Sequence, residues 1–171
     1  MKTYCQDLEG YFNDLAAKQP SPGGGSAAAA IFCMGTGLIE MAMQYSLKEN
    51  VEVIGQIGEL RKNNFPIIDL DSRLFDEIMK AKDEQRTELI TKCETMIAGL
   101  GLSVVKVVKL ALTRKNDIKK SIISDYIIGI DCLKVVLTAC VLNLKANETM
   151  FKVHSRYIGI FENELNTWPK F

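Results

Sequence analysis

Imidazole is nearly absent from this chain: His154 is the only histidine among 171 residues. With one imidazole, and no group of His, Cys, Asp and Glu at metal-ligand spacing, no metal site is expected. His154 lies between Lys152 and Arg156 and reads as a surface residue rather than a general base. A charge excess of either sign is also missing, since Lys+Arg and Asp+Glu both number 21. Nucleic acid and anionic membrane surfaces, which call for a basic excess, are therefore not expected partners. Neutrality also leaves little repulsion to oppose self-association. The five cysteines (Cys5, Cys33, Cys93, Cys132 and Cys140) form no C-x-x-C pair. Four of them fall in apolar helical stretches, where a free thiol behaves as a small hydrophobe, so a reducing cytoplasm is the expected compartment. No glycine loop runs into Lys-Ser/Thr, no dinucleotide fingerprint follows a strand, and no Gly-x-Ser-x-Gly elbow occurs. Charged residues within the first ten, without an apolar core beside them, predict no secretory signal.

Strands are missing as well. The β-branched runs Val104–Val108 and Ile127–Ile130 keep helical spacing within windows too long for strands. No repeat, low-complexity tract or interdomain linker interrupts the chain, so residues 1–171 are read as one all-α domain. The expected form is an up-and-down bundle of long antiparallel helices. A short amphipathic helix over Tyr4–Ala16 carries Tyr4, Leu8, Tyr11, Phe12 and Leu15 along one stripe. A helix from Ser26 to about Ser46 follows, with Ala27–Met43 expected to be the most buried segment of the molecule. Its apolar run before Glu40 is about fourteen residues, too short to span a bilayer. One narrow polar seam (Ser26, Cys33, Thr36, Glu40, Gln44) runs along it. Asn50–Asn64 is helical, Pro66 kinks or reverses the chain, and Pro66–Lys82 resumes the pattern. Asp83–Thr113, Ile118–Asn147 and Glu148 to about Leu165 complete the expected helices, and Asn166–Thr167–Trp168–Pro169 ends the last. Gly99 and Gly101 are expected to strain the middle of the long Asp83–Thr113 helix.

The stretch Gln19–Ala30 organises the rest. Two prolines block helix before it and three glycines follow. Ser26 then has the chemistry of an N-cap, with Ala27 as first helical residue. The N–H groups at such a helix start favour an anion. Two aspartates stand out by azimuth at 100° per residue. Asp71 shares its side with Ile67, Ile68, Leu74, Phe75 and Ile78, and Asp125 shares its side with Ile118, Gly129, Cys132 and Val136. A carboxylate on an apolar stripe must be paired, protonated, hydrated or used. Asn143 and Asn147, one turn apart, form a polar pair on a largely apolar helix. Asn143 lies about 27 Å along the axis from Asp125.

Pro20–Ser21–Pro22–Gly23–Gly24–Gly25–Ser26–Ala27–Ala28–Ala29 resembles the P-x-P-G-G-G-S-x-A-A signature of the cyclodeaminase/cyclohydrolase family of folate enzymes. Leu70–Asp71–Ser72–Arg73–Leu74–Phe75 looks like the family's D-x-x-x-F segment, Ser124–Asp125 like its S-D segment, and Asn143–Leu144–Lys145–Ala146–Asn147 like its N-V-x-x-N segment, all in the family's order. The chain departs from the pattern at Gly99–Leu100–Gly101, where relatives carry a proline, and in lacking a glycine before Ser124.

The resemblance implies one-carbon folate chemistry. The leading expectation is hydrolysis of 5,10-methenyltetrahydrofolate to the 10-formyl form. The alternatives are cyclisation of the 5-formimino form with loss of ammonia, or a non-catalytic folate-binding or structural paralogue. Asp71 and Asp125 are the expected catalytic carboxylates. Gly23, Gly24, Gly25, Ser26, Asn143 and Asn147 are the expected substrate-binding residues, with no cofactor beyond the tetrahydrofolate substrate. Both candidate substrates carry a delocalised cation, which a carboxylate on an apolar wall attracts strongly. Folate's anionic glutamate tail suits the helix start at Gly23–Ser26. Counting helix directions leaves these residues at opposite ends of one chain whichever way Pro66 acts. A homodimer with sites built from both subunits is therefore expected.

Overall fold

A computed structural model describes residues 5–47 and 52–168; Tyr4, Asn50 and Pro169, named above, lie outside the described residues. Among the described residues seven α-helices follow in order: α1 (Cys5–Ala16), α2 (Gly24–Ser46), α3 (Glu52–Asn64), α4 (Ile67–Lys80), α5 (Asp83–Leu112), α6 (Ile123–Phe151) and α7 (Tyr157–Thr167). Two 3₁₀ turns, Lys115–Asp117 and Lys120–Ile122, join α5 to α6. Among the described residues there is no strand, and the all-α reading holds.

The α2–α6 pair is the centre of the bundle. A Cβ added at Gly35 would lie 2.8 Å from Cys132 Cβ and 2.9 Å from the Gly129 carbonyl, and one at Gly129 would meet Ile39 Cγ1 at 2.7 Å. These two glycines therefore set how closely the helices approach. Phe32, Ile39, Ala42 and Met43 of α2 pack with Tyr126, Leu133, Val136 and Leu137 of α6 in one buried cluster. Covering each such side chain is worth about 1.5–3 kcal/mol. α2 is not covered all round, however: Met34 and Tyr45 are 54% and 67% exposed.

Pro66 kinks the chain rather than reversing it. α3 and α4 both pack on α2 and α5 but not broadly on each other. They form one bent rod antiparallel to α2: Arg61 reaches Glu40, and Asp71 reaches Ser26. The Arg61 guanidinium grips the Glu40 carboxylate with both ends, Nε at 2.7 Å and Nη2 at 3.2 Å. Gly58 leaves room for that carboxylate, since a Cβ there would lie 3.0 Å from it. The polar seam of α2 thus faces the bent rod at Ser26, Cys33 and Glu40; Gln44 is exposed and Thr36 bonds back to Phe32 of its own helix.

Several boundaries differ from the sequence reading. α5 runs unbroken through Gly99 and Gly101, and Gly101 serves to admit the Phe161 ring of α7. In the turn before α6 the Asp117 carboxylate pairs with Arg114 at 3.1 Å. α6 begins at Ile123 and passes Asn147 to Phe151, ending where Lys152 turns left-handed (φ 56°). Glu148 then accepts the Ser155 N–H at 2.8 Å, which fixes the loop before α7. By length and composition α2, α5 and α6 are each long and apolar enough to cross a membrane, so the fourteen-residue argument for α2 does not stand. Only about half of each such window is buried within the chain: 56%, 50% and 44%.

Candidate active site

α2 starts at Gly24, two residues earlier than Ser26, with Gly23 as an extended N-cap that makes no side-chain bond. Ser26 is therefore the third residue of the helix. No glycine has a positive φ among the described residues, so the three glycines are needed for space. A side chain at Gly25 would run into the Asp71 carboxylate, and one at Gly24 would come within 3.3 Å of Asn143 Oδ1. With both positions bare, α4 and α6 converge on the first turn of α2.

Ser26 is wholly buried, and both its polar groups are engaged. Its N–H, one of the four that a helix start leaves without an internal partner, donates to Asp71 Oδ2 at 3.0 Å. Its hydroxyl lies 3.0 Å from the Tyr11 hydroxyl. A side chain from α4 thus does the work expected of a cap residue in the loop. Half-buried Asp71 feels two opposed influences. Burial raises its pKa, the Ser26 N–H lowers it, and the net displacement is upward. On the far side, Asn147 Nδ2 lies 3.8 Å from the Cys93 Sγ of α5. The Cys93 thiol is pushed up to about 11, by burial first and then by the Asp71 charge. It is neutral at physiological pH and forms part of the apolar wall.

Asp71, Gly23–Ser26, Asn143 and Asn147 therefore meet at one end of the bundle. Asp125 does not join them in the same chain. It sits in the first turn of α6, half-exposed, with the Ser124 hydroxyl 3.3 Å from Oδ2. It is separated from Asn143 by about 27 Å of helix. With Pro66 as a kink, counting helix directions anticipates this separation of Asp125 from Asp71 and Asn143. The sequence reading assigned no site role to Cys93, and placed Tyr11 only on an apolar stripe. Contacts across 54 and 15 positions leave no local signal. His154 is exposed and pairs with Glu148 at 2.8 Å. Among the described residues no group of three or more His, Cys, Asp or Glu is placed to hold a metal ion.

The close approach at Gly25 makes a direct expectation. Gly25→Ala should displace the Asp71 carboxylate and cost about 1–3 kcal/mol in urea unfolding. Gly10→Ala, at a helical site with open space around it, should leave stability unchanged or raise it by about 0.5–1 kcal/mol. Equal effects at the two positions would contradict the packing assignment.

The bundle is that of a known class of helical enzyme fold. It superposes on the crystal structure of formiminotetrahydrofolate cyclodeaminase from Thermotoga maritima with a TM-score of 0.78, covering 93% of this chain and 86% of that one at 17% identity. No curated protein sequence matches it significantly. The formiminotransferase-cyclodeaminase family model matches residues 7–166, and the chain belongs to that family.

Proposed function

We propose that the chain is a folate enzyme that hydrolyses 5,10-methenyltetrahydrofolate to 10-formyltetrahydrofolate. The observation that carries this reading is the Asp71 carboxylate, half-buried, held by the Ser26 N–H and set against Gly25, with Asn143 against Gly24 one residue earlier. Beside the methenyl cation such a carboxylate offsets positive charge where water screens weakly. Its upward-shifted pKa suits it to take a proton from water as the water oxygen bonds to the bridging carbon. The carbinol hydroxyl then gives up its proton as the bond from that carbon to N5 breaks; N5 keeps the electron pair and takes up a proton, the formyl group stays on N10, and one proton is released overall. Because Asp71 already holds the Ser26 donor, the one-carbon cation rather than the glutamate tail lies against Ser26 in this reading. The first-turn N–H groups of Gly24 and Gly25 remain for a carbonyl or carboxylate oxygen of the substrate. Asn143 and Asn147 orient the ring system. No metal or further cofactor enters the proposal, and neither nucleic acid nor membrane is included as a partner.

The solved structure's own name favours a second reading: N10 attacks the formimino carbon and ammonia departs, closing the ring. The same carboxylate serves, first against the formimino cation, then by taking the N10 proton and delivering it to the leaving nitrogen. Either reaction is placed in a reducing cytoplasm, in keeping with five free cysteines.

The proposal also takes the working unit as a homodimer. Rotating α2 and α6 outward from their contact at Gly35 and Gly129 puts Met34, Met41 and Tyr45 on the same side as Ile128, Val135 and Leu142. Most of these are strongly exposed, Leu142 at 62%. Asn143 and Asp125 border opposite ends of that apolar face. A two-fold axis through it brings one subunit's Asp125 toward the other's Asn143. Titration calorimetry with methenyltetrahydrofolate tests the substrate class. Binding to the wild type, weakened in Gly24→Asp, is expected; no affinity for any tetrahydrofolate would leave only a structural role.

A further inference from the structure

α1 is built to pack yet packs on little. Its stripe of Leu8, Tyr11, Phe12 and Leu15 follows helical spacing. Even so, Leu8 and Phe12 are 45% and 51% exposed, and none of these residues belongs to the buried core. No other helix makes broad contact with α1. Among the described residues, the side-chain bond that ties it to the bundle is that of the Tyr11 phenol, 3.0 Å from the buried Ser26 hydroxyl. That serine donates its N–H to Asp71. Among the described residues, a loosely packed amphipathic helix is therefore fastened through the Tyr11–Ser26 hydroxyl pair to the residue on which the site is built. Its aromatic pair, Tyr11 and Phe12 with ring centroids 5.8 Å apart, sits at that same corner.

We propose that α1 is the cover of the Asp71 site, that Tyr11 is its latch and a positioning residue, and that the Leu8–Phe12 stripe closes on the flat rings of the bound substrate. The identity of that ligand rests on the folate reading, whereas the latch stands on the Tyr11–Ser26 contact. A short apolar stripe left in water is stabilised by whatever flat apolar surface reaches it. A tether of one hydrogen bond is weak enough to open and reclose during turnover.

Hydrogen exchange read by mass spectrometry tests both parts. In the ligand-free wild type, α1 amides should exchange far faster than those of α2 and α6. Tyr11→Phe and, separately, Ser26→Ala should each speed α1 exchange by about fivefold, the effect of one lost hydrogen bond. α2 and α6 should stay protected. Unchanged α1 exchange in both variants, or wild-type α1 protected as strongly as α6, overturns the latch. With 5-formyltetrahydrofolate bound, α1 should slow by about tenfold or more. Calorimetric binding without that slowing overturns the cover. If no tetrahydrofolate binds, the folate reading fails, and the ligand-free arm still decides the latch. In turnover, Tyr11→Phe should raise KM about fivefold with little change in kcat. A purely structural role would instead lower kcat through loss of folded enzyme and leave KM alone.

Discussion

Asp71→Asn is expected to lower turnover by about 10²–10⁴-fold, the contribution of one positioned acid–base carboxylate, without lowering the melting temperature at neutral pH. The two halves come from the same geometry. Asparagine still offers an oxygen to the Ser26 N–H, so the contact between α4 and the start of α2 survives. What is lost is the ionisable group. Burial raises the Asp71 pKa more than the Ser26 hydrogen bond lowers it. A carboxyl group whose folded pKa lies above its unfolded value contributes stability that is full below the unfolded pKa and disappears as pH rises through the folded one. At neutral pH the wild type therefore bears the cost of an ionised, half-buried carboxylate, and the amide removes it. Stability curves from pH 3 to 8, a range about the ordinary carboxyl pKa, should show less loss with rising pH in the variant. An asparagine variant that keeps wild-type turnover would remove Asp71 from the chemistry. One that melts much lower at pH 7 would make its role structural.

The second large effect concerns subunits. Asp125→Asn and Gly24→Asp are each expected to be inactive: the first lacks the carboxylate at the lower end of α6, and the second crowds Asn143 and adds a negative charge one residue from the Gly25–Asp71 contact. Mixed after unfolding and refolded together, they should recover activity. In a mixed dimer one site carries both substitutions and the other carries neither. Recovery on mixing, with no recovery when either is refolded alone, requires that Gly24 and Asp125 of a working site belong to different chains. An active monomer by size-exclusion, or mixtures that stay dead, would remove the shared site. It would also return Asp125 to an ordinary half-exposed position at a helix start.

Helical periodicity carried most of the fold. Apolar spacing over residues 83–112 and 123–151 exceeds anything a strand sustains, whereas the close helix contact at Gly35 and Gly129 shows only in the packing. Helix ends were less legible because their causes are tertiary. α2 starts at Gly24 since its first-turn donor is served by Asp71, 45 positions away. α6 continues past Asn147 because Glu148, which reads as a break, caps the following loop instead. The same limit applies to the site. Azimuth at 100° per residue marked Asp71 as a charge on an apolar side, and the structure gives it a buried partner. It marked Asp125 equally well, and counting helix directions puts that residue at the far end from Asn143, as α6 carries it. Tyr11 and Cys93 gained their places from packing between helices, which one-dimensional spacing does not encode.

The central claim is that the Asp71 end of the bundle converts one-carbon tetrahydrofolates. An absorbance assay with methenyl- and formiminotetrahydrofolate run in parallel, wild type beside Asp71→Asn, addresses it most directly, because one reaction destroys the methenyl chromophore and the other creates it. The account predicts wild-type turnover of one of the two substrates, the methenyl form first, and its collapse in Asp71→Asn. Tight folate binding with no change of absorbance from either substrate would contradict it and leave a binding protein in place of an enzyme.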